Sequence, residues 1–205
     1  MIQNKKIIYT AVIGGYDRSR RVPKFTGWDY KCLIDSDFNL SHLNNKQVSV
    51  YAKTHPHLLF PEYDISVWVD GNAKIINKMD DLSDKDITMV KHAKRSCIYE
   101  ELRAIGVAKK ASLSDITKQI EYYRLAGMPC NNGMIASGFI VRRHNLDDIK
   151  NFDELWWKNF YSGFVNRDQP SLAFTIWKTK INLNIITCRT RDKYIRYYLH
   201  KKNKK

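Results

Sequence analysis

The run Tyr63-Asp64-Ile65-Ser66-Val67-Trp68-Val69-Asp70-Gly71-Asn72-Ala73-Lys74-Ile75 constrains the fold of this chain more than any other. Its β-branched and aromatic residues read as a buried strand that ends on a carboxylate, a glycine and a second oxygen-bearing side chain. In open α/β sheets ligands bind beyond the carboxyl ends of the strands, so Asp70 and Asn72 would stand where a ligand stands. A hard cation, Mg²⁺ or Mn²⁺, takes one or two protein carboxylates and completes its shell with substrate phosphates, a share this pair could supply. The same letters also fit a plain hairpin, because Asp-Gly and Gly-Asn are both strong turn dipeptides.

With 205 residues the chain is long enough to bury one full core, and 35 Lys plus Arg against 21 Asp plus Glu leave it at +14. That balance calls for an anionic partner: nucleic acid, an anionic membrane surface or a phosphorylated small molecule. Four scattered cysteines, Cys32, Cys97, Cys130 and Cys188, form no C-x-x-C pair, which suits a reducing compartment and excludes a cysteine zinc framework. No apolar run is long enough for a signal peptide or a membrane span, so a soluble, cytoplasmic protein is expected.

Taken in order, Lys6 to Ile13 is a first buried strand closed by Gly14-Gly15. Gly-Gly-Tyr-Asp is neither a dinucleotide fingerprint nor a Walker loop. Tyr16 and Asp17 behind it could stack on and hydrogen-bond a nucleoside, or simply cap a turn. A second strand, Tyr30 to Ile34, again ends in acids, Asp35-Ser36-Asp37. His55-Pro56-His57 reads as a packed connector in preference to a metal ligand pair. Asp86 to Lys91 is a short strand, and a helix follows with Ser96 as its cap and Arg95 just ahead, placed for a diphosphate or for solvent. A second helix opens at Ser114 with Ile116, Ile120, Tyr123 and Leu125 on its apolar side, and Gly127-Met128-Pro129 stops it. Met134 to Arg142 is a core strand, and Asp147 to Tyr161 an amphipathic helix with Ile149, Phe152, Trp156 and Phe160 at core spacing. Asp168 reads as the N-cap of a helix running to Lys178, with Pro170 in its first turn. Leu183 to Thr187 is a last strand, and 189–205 a basic, Tyr-rich tail with Asp192 as its only acid.

Several short motifs occur in one order: Tyr9-Thr10-Ala11 to Gly15-Tyr16-Asp17; Lys53 with Pro56-His57 and Phe60-Pro61-x-Tyr63; and Trp68-Val69-Asp70-Gly71-Asn72. They continue with His92-x-x-Arg95-x-Cys97-x-Tyr99-Glu100-Glu101, Gly138-Phe139-Ile140-Val141-Arg142-x-His144-Asn145, Trp156-Trp157 and Arg167-Asp168-Gln169-x-Ser171. Over about residues 7 to 178 this order resembles the glycosyltransferase-like family, long described as a domain of unknown function, that includes plant mucilage-related and turgor-regulation proteins and bacterial or viral polysaccharide-locus relatives.

That resemblance implies an α/β, single-domain GT-A-like fold (a Rossmann-like mixed sheet flanked by helices) over 1–188, with 189–205 as the tail. It also implies a metal-dependent glycosyltransferase with a nucleotide-sugar donor and a glycan or lipid-linked acceptor, using Mn²⁺ or Mg²⁺ at Asp70 and Asn72. Asn72 departs from the two-carboxylate pattern of such sites. Asp168 is the candidate base for the acceptor hydroxyl, or only a helix cap, and Arg142 or Arg95 would neutralise the leaving diphosphate. Tyr16, Asp17 and Asp35 are assigned to the nucleoside by their place at strand ends; Thr10, Lys53, Trp68, Asp70, Arg95 and Arg167 complete the expected nucleotide-sugar contacts. The tail could lie on an anionic membrane. A nucleic-acid-binding domain is the competing class, but no helix-turn-helix, zinc finger or RRM signature accompanies the charge. A catalytically silent nucleotide-sugar binder is a third reading.

Overall fold

A computed structural model describes residues 4–17 and 24–199. Its centre is a six-stranded sheet built from β1 (Lys6–Ala11), β2 (Asp29–Leu33), β3 (Ile65–Val69), β5 (Ile87–Lys91), β6 (Ile135–Arg142) and β7 (Asn184–Ile186), in the order β2-β1-β3-β6-β5-β7. β1 runs parallel to β2 and β3, β6 runs antiparallel to both its neighbours, and β7 is parallel to β5. Five strands therefore end at one edge, and at that same edge β6 begins.

β3 is buried at all five positions because both faces of the sheet are covered. Trp68 joins Tyr9, Phe152 and Trp156 under the helices α1 (Asn45–Thr54, followed by the one-turn α2, Pro56–Leu59), α5 (Asp147–Tyr161) and α6 (Asp168–Thr179). Val67 and Val69 pack on the other face with Ile75, Phe139, Tyr194 and Ile195. The second covering layer is a two-stranded sheet of β4 (Ala73–Ile75) and β8 (Ile195–Tyr197). A third cluster seats α3 (Ile98–Val107) and α4 (Leu113–Leu125) through Tyr99, Leu102, Ile116 and Tyr123.

Asp70-Gly71-Asn72 is a turn but not a hairpin. The Ala73 amide closes it on the Asp70 carbonyl at 2.9 Å, and β4 then leaves the main sheet to pair with β8 in place of β3. α5 has the bounds and the buried stripe its periodicity predicts. Other boundaries shift. α1 is a helix that the periodicity does not announce, although Asn44 and Gln47 form a capping box at its start. α3 begins at Ile98 behind Cys97 with no side-chain cap from Ser96, and α4 is capped by Ser112, two residues before the expected opening. Leu125 stays in solvent, beyond the turn where Tyr123 reaches the core.

The first part of the expected tail is folded onto the domain, as the short helix α7 (Cys188–Arg191) and β8. Tyr194 and Ile195 are buried, so the boundary set at 189 does not divide the chain there; residues 200–205 of that segment lie outside the described residues.

Candidate active site

A cavity of about 950 Å³ opens at the edge where β1, β3 and β5 end. Its walls come from the turn after β1 (Ala11 to Gly14, Tyr16, Asp17), the turn after β3 (Asp70, Gly71), His92 after β5, and Ala136 to Gly138 at the start of β6. Helices close it with Asn45, Lys46, Ser49 and Lys53 of α1, Glu101 of α3, Arg167 at the cap of α6, and Asp168 and Gln169 in that helix's first turn.

Lys53 is the hub. Its ammonium lies 2.6 Å from Asp168 Oδ2 and 3.4 Å from Asp70 Oδ1, and 5.3 Å from the centre of the Trp68 ring. Burial works against the charge, but Asp168 and Asp70 outweigh it and raise the Lys53 pKa above the ordinary lysine value. Burial alone would push the Asp168 carboxyl up; Lys46 at 3.4 Å, Lys53 and the Ser137 hydroxyl at 2.9 Å instead hold it well below the usual carboxylate range. Asp168 is the first residue of α6, with Arg167 at the cap position, and its side chain serves this cluster and does not cap the helix. Asp70 Oδ1 accepts a hydrogen bond from the Trp68 indole at 3.0 Å.

Tyr16, Asp17, Lys53, Trp68, Asp70, Arg167 and Asp168 thus come together as the sequence reading expected. Five other expected residues do not line the cavity. Thr10 is buried in β1, one residue short of the wall. Asp35 accepts from the Gly14 amide at 3.0 Å and so shapes the turn after β1 from behind. Arg95 pairs with Glu101. Asn72 donates its side-chain amide to the Tyr198 carbonyl at 2.9 Å, tying the turn to the end of β8.

Arg142 is displaced furthest. β6 is antiparallel to β3, with Ser66 opposite Arg142 and Val69 opposite Phe139, so the carboxyl end of β6 lies at the edge remote from Asp70. There Arg142 is fully buried, ion-paired with Asp153 at 2.7 Å and bonded to the Tyr9 hydroxyl at 2.8 Å. It is a core residue.

The sequence reading missed His92, Glu101, Ser137, Gly138, Arg191 and Tyr197 as site residues. His92 and Glu101 stood in the motif that carried the resemblance, but only Arg95 was drawn from it. Gly138 has a steric signature that only coordinates reveal: a Cβ there would meet Tyr197 Oη at 2.6 Å and Asp70 Oδ2 at 2.8 Å. The Tyr197 hydroxyl is thus turned inward against Asp70, and burial with that carboxylate raises its pKa.

Among the described residues no three His, Cys, Asp or Glu side chains gather as a metal cluster. Asp70 faces the cavity with one oxygen engaged by Trp68 and Lys53. That set fits a cation held by a single protein carboxylate, with the remaining ligands from donor phosphates and water.

Comparison with solved structures gives WbbM, a bifunctional glycosyltransferase in its apo form, at a TM-score of 0.52 and 11% identity over 90% of this chain. This chain spans 39% of that one, and the likeness gives the fold: a mixed α/β sheet of the GT-A-like glycosyltransferase type. No curated protein matches. The model of the TOD1/MUCI70 glycosyltransferase-like domain matches residues 33–200, and the chain belongs to that family.

Proposed function

We propose that this protein transfers a sugar from a nucleotide-sugar donor to a hydroxyl of a glycan or lipid-linked glycan. The observation that carries the reading is the convergence of Lys46 and Lys53 on Asp70 and Asp168 at the carboxyl edge of the sheet, with Arg167 lining the same cavity. Breaking a sugar–phosphate bond releases a nucleoside diphosphate, and pre-placed cations at that leaving group lower the barrier. The buried Nε of Arg167 has no hydrogen-bond partner, which suits a donor phosphate.

Mn²⁺ or Mg²⁺ on Asp70 would add Lewis-acid charge at the diphosphate. Asp168 is assigned to fix Lys53, not to take the acceptor proton, because a carboxylate held far below its ordinary range is a weak base. Tyr16 and Asp17, at the end of β1, are assigned to the nucleoside. Four free cysteines support a reducing, cytoplasmic setting, and the +14 charge supports contact with an anionic membrane carrying a lipid-linked acceptor. No described helix is long and apolar enough to cross a membrane.

Thermal-shift measurements with UDP-, GDP- and dTDP-sugars, with and without Mn²⁺, test this on the wild type and Asp70→Ala. One nucleotide class should raise the melting temperature of the wild type, and Asp70→Ala should abolish the Mn²⁺-dependent part. Failure of every nucleotide sugar to shift the wild type overturns the reading.

A further inference from the structure

The cavity has two ends. Tyr16, Asp17 and Gly14 lie beyond β1; Asp70 and Lys53 stand in the middle, beyond β3; His92 and Glu101 lie beyond β5. β1 and β5 are three strand spacings apart, about 14 Å at ~4.8 Å each. With the nucleoside at the β1 end and the diphosphate at Asp70, the β5 end remains for sugar.

Its side chains are fixed and complementary. The His92 Nδ1 accepts the backbone N–H of Arg95 at 3.0 Å and of Lys94 at 3.3 Å, so in the neutral ring the proton sits on Nε2. Burial lowers the His92 pKa and keeps the ring neutral at physiological pH. Nε2 faces Glu101 Oε2 at 4.0 Å. Glu101 lies in the first turn of α3, where the helix dipole favours a carboxylate, and Arg95 Nε holds it there. An N–H donor and a carboxylate acceptor so spaced can each take one of two neighbouring hydroxyls. Arg95 engages Glu101 through Oε2, and a carboxylate has a second oxygen with which to accept.

We infer that His92 and Glu101 form the acceptor subsite and bind adjacent hydroxyls of a neutral sugar, with Arg95 positioning the carboxylate. This rests on the transferase reading above. Ligand-observed saturation-transfer NMR with methyl glycosides of glucose, galactose, mannose and N-acetylglucosamine tests it, on the wild type, Glu101→Gln and His92→Gln, each checked by thermal melting. The wild type should bind at least one glycoside, and both variants should bind it about tenfold more weakly, with nucleotide-sugar affinity within twofold of wild type. Should Glu101→Gln fail to fold, His92→Gln carries the test. The inference is overturned if no glycoside binds the wild type, if the folded variants bind it unchanged, or if they weaken the nucleotide sugar as much. A wild type that binds a glycoside but no nucleotide sugar fails the transferase reading instead.

Discussion

The ammonium of Lys53 and the carboxylate of Asp168, both almost wholly buried, meet at 2.6 Å across 115 residues of chain. Removing one partner of such a pair strands the other, at a cost of about 3–5 kcal/mol in comparable cases. Lys46 stays near Asp168, so Lys53→Met should fall at the lower end, with nucleotide-sugar binding lost. Urea unfolding and the thermal-shift assay read the two effects separately; unchanged stability would mean the pair is not formed in solution.

Gly138→Ala should spare the fold and damage the site. The first atoms its methyl meets are the ends of two movable side chains, Tyr197 and Asp70, so they yield more readily than backbone would. A shift of ~1 Å in a reacting group can cost ~10²-fold in rate. The expected pattern is a melting temperature near wild type with turnover reduced tenfold or more, and equal turnover would show that Asp70 does not act from this position.

Arg142 and Asp153 set the opposite pattern. Arg142→Met leaves a buried carboxylate unpaired and should destabilise by about 3–5 kcal/mol. Adding Asp153→Leu should recover much of that loss. At a temperature where the single variant is folded, its turnover should stay within a few-fold of wild type, since Arg142 meets the site only through the backbone carbonyl of Lys53 and does not line the cavity. A large loss of turnover in the folded variant would restore the catalytic role first expected of it.

His144 gives stability a pH dependence. Burial lowers its pKa from 6.5 to about 4, so between those values the unfolded chain binds a proton that the folded chain refuses. Its contribution is present above pH 6.5 and is lost as the pH falls through 4. His144→Gln keeps a donor for the Phe60 carbonyl, which the histidine Nε2 reaches at 3.0 Å, but does not titrate. Denaturation at pH 7 and pH 4 should therefore show the wild type losing more stability than the variant, by up to about 3 kcal/mol. Burial raises the Asp153 carboxyl, which works with the opposite sign in both proteins and drops out of the difference.

Local pattern carried most of the fold and several of the residues that line the cavity. Asp70 was legible because a parallel strand ending in a carboxylate delivers it to the ligand edge. Arg142 looked the same in the sequence and went elsewhere, because nothing in Met134 to Arg142 says that β6 enters the sheet reversed. His92 and Glu101 fall in a stretch legible only as the start of a helix, and only the lateral order β3-β6-β5 brings them to the cavity. α1 escaped because its apolar residues, Val48, Val50 and Ala52, alternate like a strand. The fold of 189–199 was hidden by its charge, although Tyr194 and Ile195 are as buried as any core residue.

Tyr197 closes the cavity beside Asp70 from a strand near the end of the described chain, and that strand pairs with β4 across more than a hundred intervening residues. During synthesis the wall made by β8 therefore comes last. A nascent chain that already holds every strand of the main sheet still has an open site, so competence to bind should arise only when translation has passed residue 197.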